Sequence, residues 1–378
     1  MERLNTGGAE QPVLALNCGS SSLKFGVYLC TPAGNELLAE GEAEEIGTDH
    51  STFWFGRGDE RQREQIELPD HSAALSRAFA ALNERNVPAP AVVGHRFVHG
   101  GPQIREHQVL RPTVMEQLRA AAVFAPLHVP PALAVLEATQ QKLPEAPQIV
   151  CLDTAFHRTM PEVAKVYALP ARIRELGVER YGFHGLSLES VLEQLEPVPE
   201  RVVIAHLGNG SSITAVRKGA SMDTTMGLTP TGGVMMGSRC GDLDPGIFVF
   251  LMRNGFASAD ELEAVFNDES GLRGISEKTS DVRELLKIRP NEKSADLALR
   301  VFCYQVRKAI ASMAAALGGL ELLIFTGGIG EHAAELRDEI CTGLGFMGSY
   351  TVKVLPSQED LQIARITTKI ASRDQHSA

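Results

Sequence analysis

Apolar and polar positions divide this chain into strands, glycine turns and a few long helices. Residues 13–16 and 25–29 are short apolar runs separated by Asn17-Cys18-Gly19-Ser20-Ser21-Ser22, which predicts strand, turn, strand. The pattern returns later: residues 201–205, then His206-Leu207-Gly208-Asn209-Gly210-Ser211-Ser212, then residues 213–216. Placing Ser21-Ser22-Leu23 over Ser211-Ser212-Ile213 aligns the two units at one offset. Two related domains would leave that mark, and so would two unrelated hairpins. A third unit, residues 321–325 followed by Thr326-Gly327-Gly328-Ile329-Gly330-Glu331, predicts a strand, a glycine turn and a helix continuing through 335–340. Apolar residues at three- and four-residue spacing predict helices over 72–83, 113–124, 131–142 and 295–317. Proline-containing breaks fall at 87–90, 144–147 and 196–200. The longest apolar stretch, 310–325, is interrupted by Gly318, Gly319 and Glu321, short of the ~20 apolar residues a membrane span requires.

Composition narrows the class. With 378 residues and 44% hydrophobic content, the chain carries two or three domains at roughly 100–200 residues each. A net charge of −11 excludes the basic field that nucleic acid or an anionic membrane would demand. An acidic protein that binds a polyphosphate must concentrate positive charge locally, so an Arg or Lys beside a glycine turn is informative. The six cysteines are widely spaced with no Cys-x-x-Cys, which argues against a disulfide framework or zinc site and for a reducing cytoplasm. The stretch from Met1 to Pro12 is polar and reads as no secretory signal.

Four groups of residues could carry chemistry. Each Gly-Ser turn could present backbone N–H groups and hydroxyls to phosphate, with Lys24 adding a charge beyond the first; each could equally be a tight hairpin. No Gly-x-x-x-x-Gly-Lys-[Ser/Thr] loop and no protein-kinase signature set is present, so any nucleotide use rests on another scaffold. Val92-Val93 predicts a strand entering the turn Gly94-His95-Arg96-Phe97-Val98-His99-Gly100-Gly101. There Arg96 could fork onto a carboxylate or phosphate, or satisfy loop carbonyls. Residues 149–152 form an apolar run ending in Asp153, either a carboxylate at a strand's C-terminal edge, suited to Mg²⁺, or the cap of the next turn. Last, Tyr181-Gly182-Phe183-His184-Gly185 and Met235-Met236-Gly237-Ser238-Arg239-Cys240-Gly241-Asp242 each place a polar side chain between glycines.

Together these segments resemble the acetate kinase family, within the acetate and sugar kinase/Hsp70/actin superfamily. The resemblance also rests on Ala125-Pro126-Leu127-His128, Asp153-Thr154-Ala155-Phe156-His157, Ser280-Asp281-Val282-Arg283, and Glu359 ahead of Ile363-Ala364-Arg365, and it spans residues 13 to about 365. It implies an α/β fold of two actin-like (ribonuclease H-like) domains with a nucleotide cleft between them. The expected N-terminal domain is residues 1–153 plus 359–378, and residues 154–358 form the C-terminal one. The resemblance further implies transfer of the ATP γ-phosphoryl group to acetate or another short carboxylate, with Mg²⁺ as cofactor (Mn²⁺ as the alternative ion) and a homodimeric assembly.

Carried over position by position, Asn17 and Glu359 would hold the metal and Lys24 would contact phosphate. His206, Leu207, Gly208, Asn209 and Gly210 would line the phosphate side of the ATP site. Asp281, Val282 and Arg283, with Gly328, Ile329, Gly330, Glu331 and His332, would surround the adenosine. Arg96 would bind the acetate carboxylate, with Val98, Leu127, Phe183 and Pro230 forming a small apolar pocket for its methyl group. Asp153, His184 and Arg239 would act on the moving phosphoryl group, with His128 nearby. The chain departs from the family pattern in about ten extra N-terminal residues and in the missing His and the shortening after Ser187. Further departures are Gly232-Gly233, His332 where Asn is usual, and Ile366 after Arg365.

A carboxylate acceptor is already ionised at neutral pH, with a pKa of about 4, so a general base has little to contribute. Asp153 is therefore expected to serve Mg²⁺ or its water shell and to position groups. The barrier is an anion approaching a polyanion, which Arg96, Arg239, His184 and the metal would relieve. A propionate kinase is the nearest alternative, followed by an actin- or Hsp70-like ATPase without acyl transfer and by a catalytically silent family member.

Overall fold

The computed structural model describes residues 11–31, 34–255 and 258–375. Most of the polar opening segment, residues 1–10, and the end of the expected first domain, residues 376–378, lie outside them. The chain forms two compact units: one runs to Ala155 and resumes at Gln358, and the other is Phe156–Ser357.

In the first unit, alternating apolar residues build β1 (Pro12–Cys18), β2 (Leu23–Thr31), β3 (Gly34–Glu44), β4 (Thr52–Gly56) and β5 (Gln62–Gln65), an antiparallel meander. β6 (Val92–Phe97) lies parallel to β1, β8 (Gln148–Leu152) lies parallel to β6, and β7 (Gln108–Val109) closes that edge. The order is β5-β4-β3-β2-β1-β6-β8-β7. All of β8 is buried, as its unbroken apolar run requires of a strand covered on both faces. One face packs Leu14, Leu16, Phe25 and Phe53 against Leu75, Leu82 and Leu136 of the helices His71–Glu84 and Val129–Lys142. Asp70 caps the first of these, accepting from Ala73 N at 2.8 Å.

The helix Glu359–Gln375 lies against β1 and β6. A Cβ on Gly94 would stand 2.1 Å from Thr367 Oγ1 and 2.7 Å from Ile363 Cγ2. Gly94 is thus small because a helix presses on a strand, and β6 runs straight through His95 and Arg96 to Phe97. This corrects the turn expected over these residues: chain reversal begins only after Phe97.

The second unit holds β9 (Arg201–Leu207), β10 (Ser211–Arg217), β11 (Ala220–Thr224), β12 (Leu322–Thr326) and β13 (Thr351–Val354), in the order β11-β10-β9-β12-β13. The helix Lys293–Leu317 covers it, burying Ala295, Ala298, Leu299, Phe302, Val306, Ile310 and Leu317 at helical spacing. Gly318, with φ of +72°, ends that helix in the left-handed conformation glycine tolerates best.

The two hairpins share their arrangement. β1 is antiparallel to β2 and parallel to β6; β9 is antiparallel to β10 and parallel to β12. Their turns differ in length, residues 19–22 against residues 208–210, so a single offset does not carry both arms. After β12 the helix Gly327–His332 breaks at Ala333 and resumes as Ala334–Thr342, where one continuous helix was expected. Among the described residues no helix is long and apolar enough to cross a membrane.

Candidate active site

In the first unit, strand ends and the last helix bring five polar side chains together. Asn17 lies near the end of β1, Arg96 near the end of β6, Asp153 just past β8, and Glu359 and Asp360 open the helix Glu359–Gln375. Carboxylates therefore gather at the C-terminal edge of parallel strands. Arg96 donates from Nε and Nη2 to Asp153 Oδ2 at 3.1 and 2.6 Å, and from Nη1 to Asn17 Oδ1 at 3.0 Å. Asn17 Nδ2 donates in turn to Asp360 Oδ1 at 2.9 Å and Glu359 Oε2 at 3.3 Å. Burial works against the Arg96 charge, but Asp153 and Glu359 outweigh it and hold its pKa above the ordinary arginine value. Burial pushes the Asp153 carboxyl upward while the Arg96 guanidinium pulls it back.

Asp360 was missed by sequence reasoning; its only signal is that it adjoins Glu359. Burial raises its pKa, and the Asn17 amide lowers it. The oxygens of Asn17, Asp153, Glu359 and Asp360 are hard donors of the kind Mg²⁺ accepts. Among the described residues no group of three or more His, Cys, Asp or Glu forms a metal cage. Mg²⁺ commonly keeps several waters and takes one or two carboxylates together with substrate phosphates, which this donor set fits.

Lys24 stands opposite Asn17 across β1 and β2, and its charge acts on Asp360. Lys24, half exposed, pairs with Glu42 at 3.8 Å. Val98 is buried just past β6, while Leu127 is 47% exposed. His128 precedes the helix Val129–Lys142 and caps it through its carbonyl, which accepts from Ala132 N at 3.4 Å.

In the second unit, the turn after β9 is the meeting point. His184 and His206 stack with ring centroids 4.1 Å apart. His184 Nδ1 bonds Ser212 Oγ at 3.0 Å, and His206 Nδ1 bonds Ser187 Oγ at 2.8 Å. A Cβ on Gly210 would lie 3.1 Å from His184 Nε2 and 3.3 Å from Arg239 Nη1, so imidazole and guanidinium converge on this turn. Gly237 N donates to Asn209 O at 3.3 Å, and a Cβ on Gly327 would meet His206 Nε2 at 3.2 Å. His184, His206, Asn209, Gly210, Arg239 and the start of the helix Gly327–His332 thus share one neighbourhood.

His184 has φ of +62°, unusual for a residue with a side chain, at the start of the helix Gly185–Leu192. His157, which closes the Asp153–His157 motif but carries no role in the sequence reading, holds this bend. Its Nε2 donates to Phe183 O at 2.9 Å and its Nδ1 accepts from Ser221 Oγ at 2.9 Å. Burial lowers its pKa to about 4, which keeps the ring neutral. Phe183 is buried, and the Pro230 carbonyl accepts from Arg239 Nη1 at 3.2 Å.

Asp281 and Arg283 face each other. Asp281 caps the helix Val282–Ile288 by accepting from Arg283 N at 2.7 Å, and the Arg283 side chain brings the carboxyl down to about 2. Glu331 Oε1 accepts from Gly327 N and Ser357 N, each at 3.0 Å, tying the glycine turn to the end of the unit. His332 is exposed. Gly233 has φ of +94° and exchanges backbone and side-chain bonds with Asp242, giving this double glycine a conformational reason.

The profile of the acetokinase family matches residues 12–372. The acetate kinase of Deinococcus radiodurans is 41% identical over 94% of this chain and 97% of that protein. That of Dictyoglomus thermophilum is 38% identical over 96% and 99%. Among solved structures, a propionate kinase from Francisella tularensis superposes with a TM-score of 0.90 at 34% identity, covering 95% of this chain and all of that one. The Porphyromonas gingivalis acetate kinase gives 0.86 at 34% identity, over 96% of this chain and all of that one.

Proposed function

The chain belongs to the acetokinase family, and on that footing we propose that it is an acetate kinase, forming acetyl phosphate and ADP from acetate and ATP. An acetate oxygen forms a bond to the γ-phosphorus as the bond to the β–γ bridging oxygen breaks, and ADP leaves with that electron pair. The reading rests on one observation: His184, His206 and Arg239 gather about the Gly-Ser turn at Gly210. Two imidazoles and a guanidinium at a glycine turn suit the equatorial oxygens of a phosphoryl group.

Arg96 takes the acetate carboxylate, and Val98, Leu127, Phe183 and Pro230 are the apolar residues assigned to its methyl group. His128 stands by. Lys24 and the turn His206, Leu207, Gly208, Asn209 and Gly210 take the ATP phosphates. Val282 and its neighbours Asp281 and Arg283, with Gly328, Ile329, Gly330, Glu331 and His332, take the adenosine. Asn17 and Glu359, with Asp153 and Asp360 beside them, would hold Mg²⁺, which would supply charge neutralisation to the ATP phosphates. The protein works in the cytoplasm.

Association into a homodimer is proposed through the helix Pro245–Arg253. It buries none of its residues and leaves Phe248, Val249, Phe250 and Met252 between 43% and 63% exposed. Phe250→Glu should convert a dimer to a monomer in light scattering; a wild-type monomer would end that assignment.

Hydroxylamine traps acyl phosphate as a hydroxamate. With ATP, Mg²⁺ and acetate the trap should fill only when all three are present. ATP hydrolysis that ignores acetate would favour the actin-like ATPase instead. A propionate kinase is the second reading, favoured by the TM-score of 0.90 to such an enzyme.

A further inference from the structure

The irregular segment carrying Arg239 is tied at three points to an irregular turn and the residue that follows it. Residues Val265–Glu269 form a π-helical turn, a conformation rare in helices and frequent at functional sites. Ser238 Oγ donates to Asn267 O at 2.7 Å, Cys240 N donates to Phe266 O at 2.9 Å, and Ser270 N donates to Ser238 O at 2.9 Å. The residues on either side of Arg239 are therefore bonded to this turn. Its guanidinium is held from elsewhere, by the Pro230 carbonyl. The neighbour of Pro230, Thr231, donates from Oγ1 to Asn267 Oδ1. Asn267 thus reaches Arg239 twice: its carbonyl holds the side chain of the preceding Ser238, and its side chain holds the loop whose carbonyl receives the guanidinium.

We infer that Asn267, through Thr231, is a positioning residue that sets the direction of the Arg239 guanidinium. This rests on the reading of Arg239 as a group acting on the phosphoryl. A π-turn suits the task because its extra residue swings one side chain out of helical register toward a neighbouring loop. Thr231 contributes a directional hydroxyl where an apolar residue of the same shape would only fill space.

The full-length protein is assayed by hydroxamate formation and by amide hydrogen exchange, with Thr231→Val, Asn267→Ala, the double variant and Thr231→Ser. One lost hydrogen bond sets the scale at up to about tenfold. Thr231→Val and Asn267→Ala should each lower kcat by about that factor, with KM for ATP nearly unchanged. The double variant should be no worse than the poorer single, and Thr231→Ser should recover activity. Exchange should quicken at the amides of Thr231 and Gly233, in the loop that the Asn267 side chain holds, in Asn267→Ala while the melting temperature changes little. Multiplying losses, wild-type turnover in Thr231→Val, or unchanged exchange would each overturn the clamp. The exchange measurement decides the clamp whether or not acyl phosphate is made. A wild-type chain that makes none would instead sink the acyl-kinase reading.

Discussion

Arg96 spends two of its nitrogens on one oxygen of Asp153, at 3.1 and 2.6 Å, and a third on Asn17. The aspartate therefore orients the guanidinium as well as neutralising it. An acetate ion has no proton to surrender, so the loss in Asp153→Asn should come from a misdirected Arg96 rather than a missing base. Turnover should fall about 10²–10³-fold, KM for acetate should rise, and the acid limb of the pH–rate profile should not move. Combining the change with Arg96→Ala should add little. A displaced acid limb would restore Asp153 as a proton acceptor.

Arg239→Ala is expected to act on kcat. A guanidinium placed at developing phosphoryl charge is worth about 10³–10⁵ in rate, by analogy with arginine fingers. Arg96→Ala, in contrast, should raise KM for acetate strongly as well as lowering kcat, since Arg96 also binds the ground state. Steady-state kinetics on the two variants gives the contrast directly. Wild-type turnover in Arg239→Ala would remove that residue from the reaction.

Chain-length preference should be shallow. One methylene in an apolar pocket is worth about 1–3 kcal/mol, so propionate should react more slowly but measurably, and butyrate more slowly again. Relative kcat/KM for the three acids is the measurement. Propionate ahead of acetate would make this a propionate kinase.

Helices were legible because their apolar residues recur at helical spacing over many turns, as in Lys293–Leu317. Asp153 was legible because a fully buried parallel strand needs an unbroken apolar run, and a polar residue ending it stands at the sheet edge. β6 was misread at Gly94: the glycine answers to a helix that packs on it, and nothing local announces contact with Thr367. The supporting groups were hidden for the same reason. Asp360 meets Asn17 across 343 positions, His157 meets Ser221 across 64, and Asn267 meets Thr231 across 36. Ordinary polar residues become informative only once the fold has chosen their partners.

Buried neutral histidines should make the fold acid-labile. Burial lowers both His95 and His157 from 6.5 to about 4. His95 keeps a bond between Nε2 and Gln148 Oε1 at 2.7 Å, and His157 bonds Ser221 and Phe183. Between pH 6.5 and about 4 the unfolded chain binds these protons and the folded chain does not, so stability rises with pH there. Above 6.5 the contribution is complete; it is lost as pH falls toward 4. Each group should contribute a slope of up to about 1.4 kcal/mol per pH unit within that window. Denaturant melts of the wild type and His157→Gln at successive pH values test this. The variant, with no imidazole at that position, should start less stable at pH 7.5 and show a flatter decline below 6.5. Parallel curves for the two proteins would mean that His157 does not titrate on unfolding.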